Sequence, residues 1–158
     1  MNRVIRNVRG SLLLGFALSS LPAFAKCPIP DGGTLIVRAA AGDLRLDNTG
    51  RDTVEVQVDN SAVQIQEICG KDVVEFRGTG ADPSKGTTTW RIIAPRTVNL
   101  DLVTMAGSIV IPDVDRDVLL RTAGGSVTTG NIRGKAAIIS QGGSIKAGNV
   151  GGNADFSS

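Results

Sequence analysis

Histidine and tyrosine are absent from all 158 residues. Without histidine the chain lacks the commonest general base, proton shuttle and transition-metal ligand, so a Ser-His-Asp triad is excluded and a cysteine nucleophile has no imidazole partner. Aromatic side chains are scarce: one Trp (Trp90) and four Phe, of which Phe16 and Phe24 lie near the N-terminus. The core must therefore be a small one filled with Val, Ile, Leu and Ala. Long apolar runs are missing as well. The best candidate, Ser11–Ser19 (SLLLGFALS), is too short for an ordinary membrane-spanning helix. It follows Arg3, Arg6 and Arg9 and precedes Pro22 and an Ala23-Phe24-Ala25 site, which is the three-part pattern of a secretory signal peptide. The pattern predicts a leader over residues 1–25, with Lys26 opening a single exported domain over 26–158, in the periplasm, on the outer surface or secreted.

The leader also changes the charge. Of the 17 basic residues three fall inside it, while all 15 acidic ones lie beyond, so the 14 and 15 that remain leave a net charge of −1 in place of +2. A basic surface for nucleic acid is not expected. Cys27 and Cys69 are the only cysteines. An even count in an exported chain suggests one disulfide, closing a loop that chain entropy values at roughly 3–4 kcal/mol. Free thiols and a lipidated Cys27 are the alternatives; Lys26 argues against the second, because a lipidation site takes a small residue there.

What the chain does have is an 18-residue repeat. Leu100–Asp117, Val118–Lys135 and Ala136–Asn153 align, and Ala154 opens a fourth unit that stops five residues in. Corner glycines Gly107, Gly125 and Gly143 recur at that spacing, as do Ser108, Ser126 and Ser144. A fixed period of this kind predicts a parallel β-solenoid, in which each coil buries its apolar face only against its neighbours. Read by columns, Leu100/Val118/Ala136/Ala154 and Leu102/Leu120/Ile138/Phe156 point inward. Asp101/Leu119/Ala137/Asp155 and Val103/Arg121/Ile139/Ser157 point out, the period-two signature of strands. A second short strand places Ile109/Val127/Ile145 inside, and Val114/Ile132/Val150 return to the core after a further corner.

Residues 26–99 form an irregular portion before the regular coils at 100–158. Short alternating runs separated by tight turns predict antiparallel hairpins there. Within it Leu35–Leu46 mimics a repeat corner, with Gly42-Asp43-Leu44 in the place of Gly-Ser-Ile, 65 residues before Gly107. It reads as an irregular first coil or a hairpin capping the tube. The fold class is thus all-β, with hairpins or an irregular coil leading into the solenoid. A stop five residues into a coil is what a truncated array would show.

The stretch Trp90–Ser108 (WRIIAPRTVNLDLVTMAGS), followed by Thr122–Val127 and Gln141–Ile145 with their Gly-Gly-Ser turns, resembles the bacterial putative-adhesin β-solenoid family, a domain of unknown function. The resemblance covers nearly all of the chain beyond the leader. It implies an envelope or surface location and an adhesive or scaffolding role, and supplies no catalytic residues to carry over.

Candidate chemistry is thin. Asp113, Asp115 and Asp117 could supply paired carboxylates for a polysaccharide lyase or hydrolase, or oxygens for calcium. They fall at a corner, however, and lack the glycine and distal glutamate of a calcium loop. The matching residues of later coils are Asn131/Arg133/Lys135 and Asn149/Gly151/Asn153, so they read as solvated corner residues. The Gly-Gly-Ser turns precede no helix and do not read as phosphate cradles. Arg116, Arg121, Arg133 and Lys135 are expected close together, on a mixed charged face. Trp90 is either a sugar-stacking platform or a buried junction residue, the latter preferred. No catalytic residue, cofactor or metal ligand is assigned. The expected function is a non-enzymatic adhesin-like or scaffold protein for an unknown glycan or envelope protein, with a carbohydrate-active β-helix enzyme as the alternative. The edge Ala154, Asp155, Phe156, Ser157 and Ser158 is a candidate for self-association.

Overall fold

Short alternating runs bounded by Gly, Asp and Asn turns form fourteen strands and no helix among residues 23–80 and 87–158, which the computed structural model describes. They make two mixed sheets of seven strands each. Sheet A runs β1 (Ala23–Pro28), β4 (Thr53–Val58), β7 (Thr89–Pro95), β3 (Asp43–Thr49), β9 (Ile109–Ile111), β11 (Val127–Thr129), β13 (Ile145–Lys146). Sheet B runs β5 (Gln64–Cys69), β6 (Val73–Thr79), β2 (Thr34–Ala39), β8 (Asn99–Thr104), β10 (Val118–Thr122), β12 (Ala136–Ser140), β14 (Ala154–Ser157).

The repeat columns are the pairing register. Leu100, Val118, Ala136 and Ala154 are successive parallel partners in sheet B, each 18 residues from the last. Ile109, Val127 and Ile145 do the same in sheet A, and isolated bridges join Val114 to Ile132 and Ile132 to Val150 on a third side. Leu102, Leu120 and Ile138 are wholly buried between the sheets, while Phe156 at the end of the same column is 44% exposed. Burying these branched side chains on one face, at about 25 cal/mol per Å² of apolar area, holds the two sheets together.

The hairpin expectation needs correction. Among the described strands only β5 and β6 form a hairpin between chain neighbours, across Gly70-Lys71. β2 and β3 do not pair; the chain turns between them at Gly42 and crosses from sheet B to sheet A. β2 lies parallel to β8, with Leu35 opposite Leu100, and β3 lies parallel to β9, with Leu44 opposite Ile109. The Leu35–Leu46 mimic is therefore stacked as a repeat in its own right. Its 65-residue offset is one 18-residue repeat plus a 47-residue excursion that builds β4 to β7. β6 and β7 add a further parallel layer on its far side. Antiparallel strands β5, β4 and β1 close that end.

Residues 1–22 of the expected leader lie outside the described residues. Its last three, Ala23–Ala25, belong to β1 and pair with Val58–Val56, so the expected cleavage point falls inside a strand. Cys27 and Cys69 are joined, Cα atoms 5.6 Å apart, tying β1 of sheet A to β5 of sheet B. The bond links the two outermost strands at the closed end.

Candidate functional site

Each repeat corner is built by one glycine and one hydroxyl. Gly107 has a φ of +132°, and a Cβ on it would run into the carbonyl of Gly42 one layer below. A Cβ on Gly125 would meet the carbonyl of Gly107 in the same way, and one on Gly143 that of Gly125. The hydroxyl column seals the joint. Thr104 Oγ1 donates to Gly42 O (2.9 Å), Thr122 Oγ1 to Gly107 O (2.7 Å) and Ser140 Oγ to Gly125 O (2.8 Å). These hydroxyls are buried and would carry a desolvation cost if unpaired. Their chemistry is structural.

The three aspartates have similar duties. Asp113 Oδ1 accepts the backbone N–H of Asn131 (2.7 Å), and Asn131 Oδ1 accepts that of Asn149 (3.0 Å). Asp117 Oδ1 accepts the N–H of Lys135 (2.7 Å). Asp115 sits between Arg96 (2.9 Å) and Arg133 (3.2 Å). Asparagine replaces aspartate in the first ladder because the role requires an oxygen and no charge.

Trp90 is 1% exposed, packs against Gly78, and donates its indole N–H to Ala41 O at 3.1 Å. It is the buried junction residue and offers no face to a sugar. The expected basic group divides: Arg116 faces Asp31 (3.9 Å) and Arg133 faces Asp115, whereas Arg121 stands on the outer face of sheet B. Alternation along β10 puts it there, between buried Leu120 and Thr122. On that face Arg38 and Asp101 form a two-pronged pair at 2.7 and 2.6 Å. The hydrogen bonds that Arg38 donates to the Asp101 carboxylate hold the guanidinium above its ordinary pKa, against the opposing effect of partial burial.

Cys27, Glu67 and Cys69 bring potential ligand atoms within 4.8 Å of one another. Both sulfurs are consumed by the disulfide, which leaves a metal one carboxylate. The edge residues Ala154–Ser157 pair with β12 on one side and lie open on the other. Sequence reading missed the shape of the outer face of sheet B, where two hollows flank Met105; the signal was the alternation of large and small residues just past each strand end.

No family model and no curated protein matches this chain. Solved structures do. A "putative cell adhesion protein" from Clostridium sporogenes aligns over 87% of this chain and 98% of its own, with a TM-score of 0.50 at 11% identity. At that identity the likeness concerns the fold. A "putative adhesin" from Parabacteroides distasonis (12% identity, 87% and 82% of the two chains) and another from Parabacteroides merdae (11%, 87% and 97%) align with TM-scores of 0.27 and 0.26. Those scores are too low to carry an argument.

Proposed function

We propose that the chain is an exported, non-enzymatic β-solenoid with an adhesin-like or scaffolding role at the cell envelope. The observation that carries this reading is the likeness of fold, over most of both chains, to the "putative cell adhesion protein" of Clostridium sporogenes. The 18-residue register agrees with it: stacked coils fix the core and corners while leaving every outward column free to vary. The disulfide suits an oxidising compartment. On this reading residues 1–25 are removed on export, and Lys26–Pro28 keep their pairing to Glu55–Thr53. Self-association along the open side of β14 belongs to the same proposal, and concentration-independent monomer mass by light scattering counts against it.

The test has two arms. Fractionation of cells producing a C-terminally tagged protein should recover it outside the cytoplasm, shortened by the leader. Beads coated with the protein should adhere to cells or matrix above the level of albumin-coated beads. A cytoplasmic, unshortened protein, or beads that adhere no better than the control, would refute the reading.

A further inference from the structure

The outer face of sheet B carries two hollows, of about 420 and 320 Å³, that share Val103 and Met105 as a common wall. Their origin is the repeat itself. Ala39, Thr104, Thr122 and Ser140 are successive parallel partners, so the residues that follow them, Ala40, Met105, Ala123 and Gln141, also line up. Small and large side chains alternate in that column. One hollow forms over Ala40 and the other over Ala123, with Met105 standing between them, 62% exposed. The two alanines are two strand spacings apart, roughly 9–10 Å.

Charge and apolarity meet here. Arg38 and Arg77 edge the first hollow, each already engaged by a carboxylate, Asp101 and Glu75. Arg121 edges the second, exposed, with no carboxylate within ion-pair distance among the described residues. Val103, Met105 and the 37%-exposed Ile139 supply aliphatic and thioether surface beside it. No aromatic ring lines either hollow, so the platform on which sugars stack is missing, whereas a methionine between two apolar notches adapts readily to apolar side chains.

We infer that this face binds an extended acidic and apolar polypeptide segment, with two apolar side chains three residues apart in the hollows and a carboxylate on Arg121. A polyproline-II segment advances about 3.1 Å per residue, so positions i and i+3 fall about 9.3 Å apart on one face, matching the separation of the alanines. The inference rests on the adhesin-like reading and names its partner class.

The experiment is selection of a random phage-displayed peptide library on the immobilised protein, followed by fluorescence anisotropy with the enriched peptides. Enriched sequences should share two apolar residues three apart and an Asp or Glu. Arg121→Gln, or Ala123→Met, which fills the second hollow, should weaken their binding about tenfold or more. Thr128→Ala, on the opposite sheet, should leave it unchanged. Selection on Arg121→Glu should enrich Lys or Arg in place of the acid. Unfolding midpoints equal to wild type show that the variants are folded. Peptides with no shared pattern, or binding indifferent to Arg121 and Ala123, overturn the inference. So does Arg121-dependent binding of polygalacturonate in the absence of any peptide, which makes the occupant a glycan. If bead adherence persists while the groove fails, the groove alone is refuted; if adherence also fails, both readings are.

Discussion

Gly124 and Gly125 are chain neighbours, and alanine at each should act in opposite directions. A Cβ on Gly125 would strike the carbonyl carbon and oxygen of Gly107 and the nitrogen of Ser108, all backbone of the preceding repeat. That backbone cannot withdraw freely, because Gly107 O accepts the buried Thr122 hydroxyl at 2.7 Å. Overpacking of this kind costs about 1–3 kcal/mol. Loosening the hydrogen bond adds about 0.5–1.5 kcal/mol. The reduced freedom of the unfolded chain returns about 0.4–1 kcal/mol, so Gly125→Ala should destabilise by about 0.5–4 kcal/mol. At Gly124 the nearest atom to an added Cβ is Ala106 Cα at 3.6 Å, an ordinary contact. There the unfolded-state effect stands alone, and Gly124→Ala should be neutral or stabilising by up to about 1 kcal/mol. With an m-value of about 2 kcal/mol per molar in urea, the unfolding midpoint should fall by roughly 0.25–2 M for Gly125→Ala and stay level or rise for Gly124→Ala. Equal midpoints for the two variants, or a lower one for Gly124→Ala, would refute the corner stacking described above.

Cys27→Ser with Cys69→Ser, or reduction of the native protein, should cost about 3–4 kcal/mol by urea unfolding, since the bond joins residues 42 positions apart and closes one end of both sheets; an unchanged midpoint contradicts that role. Asp113→Ala should destabilise by about 0.5–1.5 kcal/mol through the lost hydrogen bond to the exposed Asn131 N–H, and Asp113→Asn should recover most of it, as Asn131 does one repeat on; failure of asparagine to rescue assigns the carboxylate a charged role. A protein carrying both Asp113→Ala and Asp115→Ala should show the same polysaccharide turnover as wild type, and loss of a measurable turnover would revive the glycosidic reading. Trp90 emission should be blue-shifted and poorly quenched by acrylamide, given its burial and its packing on Gly78; ready quenching would place the indole at the surface.

The regular half of the molecule was legible because its columns are periodic: Leu102, Leu120 and Ile138 identify each other by position alone, and they are parallel partners. The first half was legible as strands but not as pairings. Alternation in Thr34–Ala39 or Thr53–Val58 states that one face is buried without saying against what, and turn-rich spacing favours hairpins as the local solution. Here the partners are distant: β2 waits 65 residues for β8, and β7 inserts between β3 and β4. The Gly42-Asp43-Leu44 likeness was the visible trace of that stacking, masked because the excursion through β4 to β7 breaks the period. The partners of Asp113, Asp115 and Asp117 were hidden for a related reason. Sequence shows carboxylates, whereas only the stacked repeats show the backbone N–H groups and arginines that engage them. The groove beside Met105 depends on side chains from five strands and could not be read from any single segment.

Stacking of Leu35–Leu46 directly beneath the regular repeats is the claim on which the continuous core and the outer groove both rest. Backbone NOEs of the isotopically labelled protein test it directly. Parallel-strand contacts are expected between Leu35 and Leu100 and between Leu44 and Ile109, alongside the 18-residue series Leu100, Val118 and Ala136. Antiparallel contacts between Thr34–Ala39 and Asp43–Thr49 in their place, the pattern of a local hairpin, would contradict it.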